Sequence, residues 1–282
     1  MHTIGQSTLK SFCPNTGDMI SRNCTSVRKG DAIKVAGYLE LAKKIAELQF
    51  ENRDHVLMLR GQSSDYRNKQ RNTTIKPSIF RGRPNNPNGQ ELSNRFEILS
   101  LAEQELVRVY NQANLPRKRE IERRKILRWS ILQHYEVCDT PLLDVSQSLR
   151  IAASFASDHD GDGGFVFALG VPNISGAITT SMESEMQVIR LASVCPPQAH
   201  RPHIQEGYLL GEYPDIGAYS QKQLYPEHEV DFGKRLIAKF RFIKNELWND
   251  SNFPPIPHPA LYPDHGDELK VVCDRVKQSI EA

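Results

Sequence analysis

An imidazole and a carboxylate stand among apolar residues in one short stretch of this chain. It runs Leu132-Gln133-His134-Tyr135, then Thr140-Pro141-Leu142-Leu143-Asp144-Val145-Ser146. Polar groups at the lip of a buried segment commonly line a cleft. Such a lip is where chemistry is expected. Arg60 is a third candidate. It closes the apolar run Val56-Leu57-Met58-Leu59 and precedes Gly61-Gln62, which puts its stem in a core and its planar fork at a strand exit. That fork suits bidentate phosphate or carboxylate recognition, and equally a salt bridge to Asp144 or a nearby glutamate. Taken singly, His134 also reads as a satisfied core histidine and Asp144 as a turn or cap.

These groups need elements to hold them. Val56–Leu59 reads as a buried strand with a glycine exit, and Ile151-Ala152-Ala153-Ser154-Phe155-Ala156 as a small-residue helix able to lie close against a sheet. Apolar spacing predicts helices over 31–48, 91–111 and 268–280, and strands over 164–169 and 236–242. Residues 186–191 fit a strand or a short helix, and 254–263 a proline-rich arm. Residues 83–89 predict a surface loop, and residues 1–30 a weakly ordered segment ahead of a single domain over 31–282.

Three other patterns carry possible chemistry. Asp158-x-Asp160-x-Asp162-Gly163 imitates half a calcium loop, but Leu169 stands where the bidentate glutamate belongs, so a hairpin turn is expected. His200-x-x-His203 lacks further ligands at suitable spacing, and no metal is expected. The segment 117–128 holds Arg117, Lys118, Arg119, Arg123, Arg124, Lys125 and Arg128; it reads as a solvated helix face or a phosphate-contact surface.

The net charge of +2 argues against a global field for nucleic acid. No apolar run matches a membrane span, and the start lacks a signal-peptide layout. Cys13, Cys24, Cys138, Cys195 and Cys273 form an odd, dispersed set, so free thiols and a cytoplasmic location are expected.

In order, Leu59-Arg60-Gly61-Gln62, Ile75-Lys76-Pro77-Ser78-Ile79-Phe80-Arg81, Gln133-His134-Tyr135, Leu142-Leu143-Asp144 and Ala152-Ala153-Ser154-Phe155-Ala156 resemble the FRG-domain family. Arg201–Gly207 and Leu261-Tyr262-Pro263-Asp264 add to the likeness. Leu59 stands where that family has an aromatic residue, and Pro141 and Val145 where it has arginine and tryptophan. Arg81 or Arg150 is left to replace that arginine. The family occurs largely in bacterial and phage-related genes.

The motif order is similar to that of ADP-ribosyltransferases. This implies a mixed α+β fold with a split, mostly antiparallel central sheet flanked by helices. It also implies an NAD-consuming transferase or NAD glycohydrolase, acting as a toxin or phage-defence effector. On that likeness Glu206, then Asp144, is the catalytic carboxylate, while Arg60, Gly61, His134, Tyr135, Ser146, Arg81 and Gln205 bind NAD. Tyr135 would stack on the nicotinamide and His134 would hydrogen-bond the ribose. The alternative is a non-catalytic module sensing a nucleotide or nucleic acid. Expected partners are a nucleotide ligand and a protein or nucleic-acid target, with no membrane.

Overall fold

The computed structural model describes residue 4 and residues 9–82, 86–223, 230–263 and 265–281. Part of the loop expected over 83–89, part of the segment 1–30, and Asp264 lie outside the described residues. The chain opens with strands β1 (Lys10–Phe12) and β2 (Met19–Ser21), helix α1 (Cys24–Lys29), β3 (Ile33–Lys34), α2 (Tyr38–Glu51) and β4 (Val56–Gln62). Helices α3 (Gly89–Gln112), α4 (Lys118–Arg123) and α5 (Lys125–His134) lead to β5 (Leu143–Ser146), α6 (Leu149–Ser157) and β6 (Gly163–Val171). Then come β7 (Ile178–Ser181), β8 (Met186–Arg190), α7 (Leu191–Val194), α8 (Arg201–Ile204), β9 (Gly207–Glu212) and α9 (Tyr219–Gln223). The end is β10 (Leu236–Ile243), α10 (Lys244–Leu247), α11 (His258–Leu261) and α12 (Glu268–Glu281). The fold is mixed α+β, mostly antiparallel, with helices flanking the strands, in line with expectation.

By its internal contacts the chain divides into two compact units. The first comprises residues 1–75, 145–174 and 231–260. In it the strands run β3-β10-β6-β4. Only β3–β10 is parallel. Leu59 of β4 also pairs with Ser146. Side chains alternate across a strand and opposed residues share a face, so the register sorts this sheet into two surfaces. One carries Gly61, Val166, Phe240 and Ile33 and receives α6. The helix lies close because there is nothing to hold it off: a Cβ at Gly61 would stand 1.8 Å from the Ala152 carbonyl oxygen, and one at Gly164 2.5 Å from that of Ala156.

The other surface carries Arg60 and Gln62, Phe167 and Phe165, Lys239 and Arg241, and Lys34. Lys239 is 1 % exposed and would be costly unpaired. Its ammonium donates to Asp65 (2.9 Å), Thr73 Oγ1 (2.7 Å) and the Arg28 carbonyl (3.1 Å). Burial pushes its pKa down, against the pull of Asp65. Arg28 in turn pairs with fully buried Asp231, which also accepts from the backbone N–H groups of Ile75 (2.7 Å) and Gly233 (2.9 Å). These charges tie residues 65–75 to β10. Within the first thirty residues, Leu9, Phe12, Cys24 and Val27 are buried, and Asn23 caps α1 by accepting from Ser26 N.

The second unit comprises residues 76–144, 175–230 and 261–282. Strands β7-β8-β9 form an antiparallel meander. The long α3 starts in a capping box in which Asn88 and Glu91 satisfy each other's backbone N–H. It packs against α12 and α5. Trp129 is buried and donates to Glu103 (2.7 Å), which also pairs with Arg128 (2.8 Å).

Three expectations change. The helix predicted over 31–48 divides at Gly37: Ile33–Lys34 is strand and the helix begins at Tyr38, leaving Leu39 exposed and Leu41 and Leu48 buried. The turn at Asp158–Gly163 follows α6, so it joins a helix to a strand and closes no hairpin. His159 organises it, holding Gly161 N (2.9 Å) and Gly163 O (2.9 Å). Residues 186–191 are both strand and helix, since β8 passes directly into α7. No helix among the described residues is long and apolar enough to cross a membrane.

All five cysteines are free. Backbone hydrogen bonds from Asn15 and Thr16 lower the pKa of Cys13, whereas burial raises Cys24 to about 11 and Cys138 and Cys195 to about 12. The thiolate is the reactive form. Cys13 is therefore expected to take up a thiol reagent first in the folded protein, and to keep reacting at pH values below its ordinary range. The other four react after denaturation. Peptide mapping of partly labelled protein checks this, and labelling that begins at Cys24 or Cys138 would contradict it.

Candidate functional site

The chemistry-bearing residues of the second unit gather where α5 ends and β5 begins. His134 is the last residue of α5, and its ring Nδ1 lies 3.1 Å from Asp144 Oδ1. Gln133 Nε2 donates to Asp144 Oδ2 (2.7 Å), and the Thr140 hydroxyl donates to Gln133 Oε1. Thr140 is fixed by its own backbone: its N–H donates to Ser78 Oγ (3.0 Å) and its carbonyl accepts from Ile79 N (3.2 Å). Both oxygens of Asp144 are thus oriented, yet its side chain is 37 % exposed while that of His134 is 2 % exposed. A carboxylate held in place and open to solvent can face a cationic centre.

His134 carries a second signal. Its Nε2 is buried with no hydrogen-bond partner among the described residues. Leaving such a group unsatisfied costs about 1–3 kcal/mol. Space beside the ring is preserved by Gly207, where a Cβ would come within 3.3 Å of His134 Cε1.

Tyr135 is placed differently from the expectation. Its hydroxyl donates to Asp267 (2.8 Å to Oδ2) and its ring lies under the Arg201 guanidinium at 5.4 Å. Burial and the Asp267 charge raise its pKa. It is a buried strut rather than an open stacking platform. Asp267 also accepts from the backbone N–H groups of His200 (2.9 Å), Arg201 (3.2 Å) and Lys270 (3.0 Å), joining α8 to the start of α12. Gln205 is buried and donates to the Leu261 carbonyl (2.8 Å). Glu206 is exposed in a turn, and the left-handed backbone falls on Glu206 itself (φ 44°), with Gly207 starting β9. The glycine therefore serves space and not turning. Arg81 Nε donates to the Lys76 carbonyl (2.8 Å).

Arg60, Gly61 and Ser146 belong to the first unit. Arg60 is half-buried beside Phe167 on the charged surface of the sheet. Gly61 faces α6. Ser146 is buried and its hydroxyl accepts from Ser148 N (3.0 Å). Sequence reasoning missed Thr140 and Asp267. An aspartate directly ahead of Glu268-Leu269-Lys270 was legible as a helix cap, but its bond to Tyr135 spans 132 positions. Among the described residues, no group of three or more His, Cys, Asp or Glu is placed to hold a metal ion.

Residues 58–163 match the family model of the FRG domain. That span, somewhat over a third of the chain, is similar to the FRG domain, as the motif order implied. The match takes in Arg60-Gly61, the His134–Asp144 pair and α6, and it ends before Gln205 and Glu206. No curated protein and no solved structure matches the chain.

Proposed function

We propose that this is an NAD-consuming, ADP-ribosyltransferase-like bacterial protein, of the kind that serves as a toxin or phage-defence effector. One observation carries the reading most: Asp144 is a solvent-reachable carboxylate oriented by His134 and Gln133 inside the FRG span. In the proposed reaction the bond between nicotinamide and ribose breaks, and nicotinamide leaves with the bonding pair. Positive charge then develops at the ribose carbon. Asp144 stabilises that charge, and the attacking hydroxyl of water or target gives its proton to the same carboxylate. Incubating purified protein with NAD is expected to release nicotinamide; no release, with or without candidate targets, would sink the catalytic reading.

A second reading, a nucleic-acid-sensing module, has one specific observation behind it. In the basic segment Arg117 donates to the Ser193 carbonyl, Lys118 to that of Asn111, and Arg128 pairs with Glu103, while Lys125 lies over Trp129. Arg119, Arg123 and Arg124 are exposed and form no ion pair among the described residues. Replacing these three with Gln is expected to lower retention on a polyanion column and flatten its salt dependence by about three phosphate contacts. Wild-type protein that is not retained even at low salt would leave the segment a solvated helix face.

A further inference from the structure

We propose that the charged surface of the first unit's sheet holds a second binding site, for a phosphorylated nucleoside. The register places four residues in one row across four strands. Gln62 opposes Phe165, Phe165 opposes Arg241, and Arg241 opposes Lys34. Two cavities, of about 790 and 750 Å3, share three residues of this row, Lys34, Phe165 and Arg241, as walls. Each is of ligand size.

The composition of the row selects the ligand. Lys34 and Arg241 are exposed neighbours of like charge, and neither forms an ion pair among the described residues. Like charges directly opposed weaken a sheet unless something lies between them. A phosphate answers that need, and the hydroxyls of Ser63 and Ser64 line the same cavity. Phe165 is half-buried between the cation and Gln62, stacked on buried Phe167 at 6.1 Å, so one ring is anchored and the other is available to a planar base. Gln62 Oε1 is buried without a hydrogen-bond partner among the described residues, and it sits next to Ser63. The carboxylates of Asp162 and Glu246 line the larger cavity and suit ribose hydroxyls. A bare phosphate would use only the two cations; a nucleoside phosphate also uses the Phe165 ring between the cavities.

The site does not rest on NAD turnover, and its test is read by binding alone. Calorimetric titration of the intact protein with AMP and with inorganic phosphate is expected to show AMP bound at least about tenfold more tightly. Phe165→Leu should weaken AMP about tenfold and leave phosphate unchanged. Arg241→Gln should weaken both, and Lys34→Gln gives an independent reading should Arg241→Gln lower the melting temperature. AMP bound no better than phosphate, or AMP binding unchanged in both Arg241→Gln and Lys34→Gln, would overturn the proposal. Nicotinamide release is scored separately, so either conclusion can fail alone.

Discussion

Gly61→Ala is expected to destabilise the protein by roughly 3 kcal/mol or more, the upper end of what overpacking costs. The new methyl would lie 1.8 Å from the Ala152 carbonyl oxygen and 2.7 Å from the Ala156 backbone nitrogen. Both are backbone atoms of α6, so no side-chain rotation relieves the clash. Either α6 lifts from the sheet or β4 shifts out of register with β6, and both responses expose apolar surface that is now buried. Gly37→Ala is the control: a Cβ there meets nothing within 4 Å. It should move the urea midpoint far less. Equal midpoints for the two variants would mean that α6 does not depend on the glycine for its close approach.

Asp144→Asn is expected to lower NAD turnover about a hundredfold, the usual cost of losing one electrostatic stabiliser at a reacting centre. Asparagine keeps the shape and an acceptor for His134 but removes the charge. His134→Gln should cost less, because it disturbs only the orientation of the carboxylate. Glu206→Gln should leave turnover nearly unchanged, since Glu206 is an exposed turn residue outside the matched FRG span. Steady-state nicotinamide release by the three variants checks the ranking. Loss in Glu206→Gln alone would move the catalytic role back to the later carboxylate.

Local apolar patterns were the legible part of this fold. The alternation in Leu236–Phe242 and the run Phe165–Leu169 mark β10 and β6, and the apolar face that follows Glu91 marks α3. The small residues of 151–156 announced a close-lying helix, and Gly61 and Gly164 are its receiving surface. Less legible was anything fixed by long-range partners. Lys239 inside Leu236-Ile237-Ala238-Lys239-Phe240 is a charge in a buried strand, and only the fold shows that Asp65 and Thr73 meet it. Asp231 looks like an ordinary surface acid until Arg28, more than 200 positions earlier, is seen beside it. Of the site, the His134–Asp144 pairing was foreshadowed by two polar residues in apolar surroundings. The fate of Tyr135 was not, because the sequence does not show that Asp267 and Arg201 cover it.

Each compact unit is assembled from three separate stretches of chain. The matched span 58–163 therefore is not something that can be cut out and kept. A fragment of those residues would hold most of β4 and all of α6 but lose β10, along with all but the first residue of β6, whose seven rungs to β4 run from Val56↔Val171 to Gln62↔Phe165. It would also leave α3 without α12. Such a piece would present a bare strand edge and an uncovered helix face, the usual route to self-association. Swapping or expressing this domain calls for boundaries drawn by spatial neighbours rather than by the limits of sequence similarity.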